Sequence, residues 1–127
     1  MKYLLLVTWD AAHQNAQPDP EPAAVSGAAA GTATATAEEE PMPWVDELRA
    51  RDQWLIGDQL APPRRARTVR VREGRRHVTD GPFTETKEAI GGFDLIEADS
   101  LDEAVEIASR HPVAAIGAIE VRPLIGG

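Results

Sequence analysis

Apolar and polar positions change period several times along the 127 residues, and each change marks an element. Lys2 to Trp9 is a near-continuous apolar run too short for a buried helix of ordinary length, which predicts a strand buried on both faces and central in its sheet. Pro43 or Trp44 opens a helix: Trp44, Val45 and Leu48 share a face, Asp46, Glu47, Arg49 and Arg51 cover the other, and Pro43 suits the first helical position. "WLIG", Trp54 to Gly57, reads as a short strand. Thr68 to Arg72 alternates, with Val69 and Val71 on one face and Thr68, Arg70 and Arg72 on the other. Glu73-Gly74 signals a tight turn, and Arg75 to Thr79 returns as the hairpin partner. Gly91 to Ala98 is another strand, with Phe93 and Leu95 on one face. Ser100 and Glu103 form a capping box ahead of a helix whose apolar face is Leu101, Ala104, Val105 and Ala108. Pro112 stops that helix, with Arg110 and His111 at its negative end. Ala115 to Leu124 is the last strand.

This order predicts an α+β fold: a ferredoxin-like sheet carrying two helices on one face, built from two right-handed strand–helix–strand units with a hairpin between them. Two helices leave the opposite sheet face uncovered. An apolar sheet face in water invites a second copy, so a homodimer packed sheet to sheet is expected.

Composition adds one qualification to this pattern. Ala11 to Pro43 mixes Pro, Ala, Gly and Thr without apolar period and holds no Lys or Arg, so it reads as a linker-like insertion within one domain of residues 1–127. The absence of cysteine excludes disulfides, thiolate metal sites and cysteine nucleophiles, and suits a reducing cytoplasm. The apolar N-terminus is broken early by Thr8, Trp9 and Asp10, so a secreted leader is not expected, and no stretch reaches membrane-spanning length.

The net charge of −8 argues against direct nucleic-acid binding, although seven of the thirteen basic residues fall between Arg64 and Arg76. That run lacks interleaved aromatics for base stacking and reads as the solvated face of a hairpin.

Candidate chemistry gathers in "DGPFTETKEAIGG", Asp80 to Gly92. Asp80 before Gly-Pro is placed for an Asx-type turn, which would hold its carboxylate on backbone amides and make it structural first. Phe83 would anchor the loop. Glu85, Lys87 and Glu88 would present polar groups at a pocket mouth, with Trp9 at the end of the first strand. Glu88 and His77 are then the better acid–base candidates, with Asp80 the third. Three scattered histidines without close pairing predict no metal site, and no cofactor motif is present.

The string "HVTDGPFTETKEAIGGFDLIEADSLDEAVEIASRHPVAAIGAIEVRPL", with "MKYLLLV" and "TVRVREG", resembles the DGPF branch of the YCII-related family. The resemblance covers Met1 to Asp10 and about Pro43 to Leu124. It implies a dimeric α/β-barrel of ferredoxin-like protomers, a bacterial cytoplasmic protein, and an association with extracytoplasmic-function sigma factors. Shorter relatives are thought to use a histidine–aspartate pair whose histidine lies on the first helix. Here that helix, "PWVDELRARDQW", has no histidine, so the resemblance transfers no dyad. Two function classes follow: a small-molecule binding protein or enzyme with a pocket near the loop, and a non-catalytic interaction module tied to transcriptional regulation.

Overall fold

The structure, a computed structural model, describes residues 1–18 and 42–126. Most of the proposed insertion therefore lies outside the described residues. In chain order the elements are β1 (Lys2–Asp10), α1 (Ala11–Asn15), α2 (Pro43–Ala50), β2 (Trp54–Gln59), β3 (Arg67–Arg72), β4 (Arg75–Asp80), β5 (Glu88–Glu97), α3 (Leu101–Ser109) and β6 (Ala118–Pro123). Short 3-10 turns at Pro63–Arg65 and Pro112–Ala115 complete the chain.

The fold is mixed α+β. Four strands form one sheet in the order β2-β5-β1-β6, with every neighbouring pair antiparallel. β1 and β2 therefore run parallel with β5 between them, and β5 and β6 run parallel with β1 between them. The helices α2 and α3 make these two crossovers. β1 is central, as its apolar run requires. It is buried on one face only: Tyr3, Leu5 and Val7 are buried, whereas Leu4 and Leu6 are half-buried.

Both helices cover the face that carries Tyr3 and Leu5. The core joins these to Ile96 of β5, Trp44 and Leu48 of α2, and Ala104, Ile107 and Ala108 of α3, with Ile119 and Val121 of β6 packed alongside. The helix α3 is rotated from the expected face. Ile107 is buried, while Leu101 and Val105 are each about half exposed. Its cap holds in altered form: the Glu103 amide donates to Ser100 Oγ at 3.1 Å, but the Glu103 carboxylate accepts from the Asp99 amide at 2.6 Å, one residue before the usual partner.

The open sheet face carries Leu4 and Leu6 of β1, Phe93 and Leu95 of β5, and Ile56 of β2, which is 54% exposed. The Gly91-Gly92 pair permits two close approaches. A Cβ on Gly91 would lie 2.8 Å from the Trp9 ring, and one on Gly92 would lie 3.1 Å from the Asp58 carbonyl oxygen. β3 and β4 form a separate two-stranded hairpin, turned through Glu73 and Gly74 in the left-handed region at φ 53° and 75°.

Candidate functional site

The residues singled out in the DGPF stretch lie at the surface. Asp80 is the last residue of β4, opposite Arg67, and its side chain is 88% exposed. Its carboxylate meets Arg67 Nε at 3.1 Å instead of the loop amides. The Gly81 amide bonds the Ala66 carbonyl at 2.8 Å, which ties the loop to the hairpin base by backbone. Phe83 is 76% exposed, with the Arg70 guanidinium 5.1 Å from its ring centroid. Glu85, Lys87 and Glu88 are exposed. His77 is exposed on β4, in register with Arg70. Trp9 is half-buried and pairs with Ala89, while Glu88 stands opposite Asp10 at the sheet's end. Trp9 and Glu88 thus meet at one end of β5, whereas Phe83 and His77 belong with the hairpin.

A second polar group lies inside the molecule. Asp94 sits six residues beyond Glu88 on β5, about 20 Å along an extended strand. Period two puts Asp94 on the same face as Ile96, beneath the helices. Side chains from β2, α2 and the segment beyond α3 gather around it. Trp54 of β2 donates its indole N–H to Asp94 Oδ1 at 2.9 Å. His111, just beyond α3, places Nε2 3.8 Å from Asp94 Oδ2. Trp44 of α2 packs on the imidazole at 4.7 Å between ring centres, tilted 67°, and donates its own N–H to the Ile107 carbonyl at 2.9 Å. Gly57, paired with Asp94 across the sheet, leaves room for the carboxylate. Asp94 and His111 are each only 8% exposed.

The electrostatics follow from this enclosure. Burial disfavours the Asp94 anion and outweighs the stabilising Trp54 N–H, so its pKa is pushed up to about 6 from the ordinary 3.8. Burial also lowers the pKa of His111 below its ordinary value. The imidazole tautomer is set by backbone: Nδ1 accepts the Val113 amide at 3.0 Å, so the ring proton resides on Nε2, facing Asp94. The 3.8 Å separation is too long for a direct hydrogen bond. Asp94 is thus a proton acceptor poised near neutrality, hydrogen-bonded by the Trp54 N–H and faced by His111 Nε2 beyond bonding distance. Among the described residues no three His, Asp or Glu side chains gather as a ligand set.

Sequence reasoning passed over this pair, reading His111 as a helix-end residue and giving Asp94 no role. One signal was available: an acid in an otherwise apolar strand, at the alternation position of Ile96. Elsewhere the surface carries an open depression of about 360 Å³ lined by Arg51, Asp52, Gln53, Glu97, Asp99 and Glu103. Asp94 and His111 do not line it.

An uncharacterized protein of Rhizobium meliloti (strain 1021) is 47% identical over 68 residues, which make up 52% of this chain and 55% of that protein. The chain thus spans about half the length of that curated relative. The solved structure of 5-chloro-2-hydroxyhydroquinone dehydrochlorinase from Burkholderia phenoliruptrix AC1100, in complex with 2,5-dihydroxybenzoquinone, aligns over 98% of this chain and 93% of its own, at a TM-score of 0.42 and 16% identity. The model of the YCII-related domain matches residues 1–126, from β1 through β6 and including both Asp94 and His111, and the chain belongs to the YCII-related family.

Proposed function

We propose that this YCII-related chain, of the DGPF branch, binds a small molecule and exchanges a proton with it, with Asp94 as the acceptor. One observation carries the reading: a buried carboxylate with a pKa of about 6, aimed at by the N–H groups of Trp54 and His111. A general base works best when its pKa lies near the working pH, and burial brings Asp94 there. His111 Nε2–H serves as a fixed donor toward the bound group. Glu85, Lys87 and Glu88 stay at the surface and act, on this reading, as a polar rim at the far end of β5, with Trp9 beside them.

The protomer is ferredoxin-like in its strand order, and two copies form a dimeric α/β-barrel by joining their open sheet faces. The exposure of Ile56 and the apolar run of Leu4, Leu6, Phe93 and Leu95 support that arrangement. A cytoplasmic setting fits the cysteine-free sequence.

A fragment screen read by amide and indole N–H chemical shifts tests the ligand reading. Binders should move the Trp54 indole signal and the His111 ring signals, and Asp94→Asn should abolish that response. If fragments bind elsewhere and leave both signals unmoved, the proposal fails.

A non-catalytic interaction module linked to sigma-factor-dependent regulation is the second reading. The exposure of Phe83 on a charged loop favours it, because an aromatic held open to water suits a protein partner. Under this reading Phe83→Ala would abolish partner binding, while Asp94→Asn would leave it intact.

A further inference from the structure

Neither reading uses the valine face of the β3–β4 hairpin. Among the described residues its strands pair only with each other, and they lie largely clear of the sheet and the helices. Val69, Val71 and Val78 are 58%, 60% and 49% exposed. The register sets Val69 opposite Val78 with Val71 diagonal to it, so the three valines make one apolar patch, with Arg76 opposite Val71 and the Arg67–Asp80 pair on the same face. An isolated two-stranded hairpin is marginal in water, and such a face ordinarily needs cover. Its base is tied down by the Gly81 amide on the Ala66 carbonyl and by the Thr68 hydroxyl on the Gly81 carbonyl, each at 2.8 Å. The arm is therefore held at its root, and its valine face is bare.

Charge indicates what covers it. Arg67 to Asp80 contains five arginines against two acids, a net +3. The other described residues keep eight basic and fourteen acidic residues, a net −6. We propose that the hairpin is a clasp that packs its valine face on a second copy of this chain, with its arginines directed at that copy's acidic body. The inference rests on the dimer proposed above and adds a contact outside the sheet faces. Two-fold symmetry would give two such clasps per dimer. Attraction between the basic arm and the acidic body should make association weaken with salt.

The cysteine-free sequence allows a unique label. A nitroxide at Val71→Cys should lose solvent accessibility as protein concentration rises through the dimerisation range. In sedimentation, the triple variant Val69→Ser/Val71→Ser/Val78→Ser should raise the dimer Kd roughly tenfold or more. These side chains are already exposed, so the fold should survive the change. Ile56→Lys on the open sheet face separates the two ideas. If Ile56→Lys yields monomers while the triple variant leaves the Kd unchanged, the sheet-to-sheet dimer stands and the clasp is overturned. A wild-type monomer at every concentration overturns both, whereas a wild-type dimer whose label stays accessible overturns the clasp alone, the result expected of an arm that serves a nucleic acid or a foreign protein.

Discussion

Gly57 stands across the sheet from Asp94, and a Cβ on it would overlap Asp94 Oδ1 and lie 2.7 Å from the Phe93 carbonyl oxygen. The carboxylate occupies space that every other residue type would fill. Gly57→Ala should therefore push Asp94 off Trp54 or force the β2 backbone away from β5. Either route strains a packed interior and leaves a buried polar group with poorer partners, a loss of about 1–3 kcal/mol. Chemical denaturation gives the stability change, and the Trp54 indole N–H shift reports the broken bond. An unchanged midpoint together with an unchanged indole signal would refute the assigned role of Gly57.

The raised pKa of Asp94 makes stability depend on pH in a defined direction. The folded state holds this proton up to about pH 6, whereas the unfolded chain releases it near 3.8. The favourable contribution of this group is complete below pH 3.8 and is lost as pH rises through 6. Relative to Asp94→Asn, which cannot ionise, the wild type should lose about 3 kcal/mol between pH 4 and 7. Paired urea titrations across that range measure the difference between the two proteins, which cancels titrations they share. A difference that stays flat would show that Asp94 ionises as it does in the unfolded chain.

Much of the fold was legible because alternation and capping are local. The β1 run, the Pro43 start of α2, the Glu73-Gly74 turn and the Ser100 cap all depend on neighbours within a few residues. The orientation of faces was less legible. In β5 the apolar pair Phe93 and Leu95 looks outward, while Asp94 and Ile96 lie under the helices, because this strand is apolar on both sides. Leu101 and Val105 follow a helical period as well as Ile107 does, and only tertiary packing selects between them. His111 and Asp94 lie seventeen positions apart, so no local pattern could join them. Asp80 illustrates the opposite failure: residue types that favour an Asx turn end a strand here, because pairing with β3 claims the backbone and Arg67 claims the carboxylate.

That placement changes what Asp80 should do when replaced. A carboxylate on loop amides would cost about 1–3 kcal/mol on truncation to Ala. An ion pair whose partners are 53% and 88% exposed is screened by water, so Asp80→Ala and Asp80→Asn should each lie within about 0.5 kcal/mol of wild type. Thermal unfolding of the two variants at low and high salt decides the matter. A loss above about 1 kcal/mol that persists in high salt would return Asp80 to a structural role in the loop.

His111 is the second half of the buried pair, and its backbone bond determines how it behaves. Nδ1 holds the Val113 amide at 3.0 Å, and Trp44 packs against the ring. Adding a proton to Nδ1 would break that bond and place a cation where burial already disfavours it. The ring should therefore be the neutral Nε2–H tautomer at pH 7 and should remain neutral below 6.5, where a free imidazole becomes charged. Because the unfolded chain takes up this proton first, the stability tied to His111 is complete above pH 6.5 and is lost as pH falls. This runs opposite to Asp94, so the two titrations partly offset each other in the wild type and separate only in single variants. His111→Phe keeps an aromatic ring against Trp44 but removes the acceptor from the Val113 amide, at a cost of about 1–3 kcal/mol. Nitrogen-15 spectra of the ring, followed from pH 8 to 5, read the tautomer and the titration directly. A signal that titrates at 6.5, or a proton found on Nδ1 at neutral pH, would remove His111 as a fixed donor and leave Asp94 to act without it.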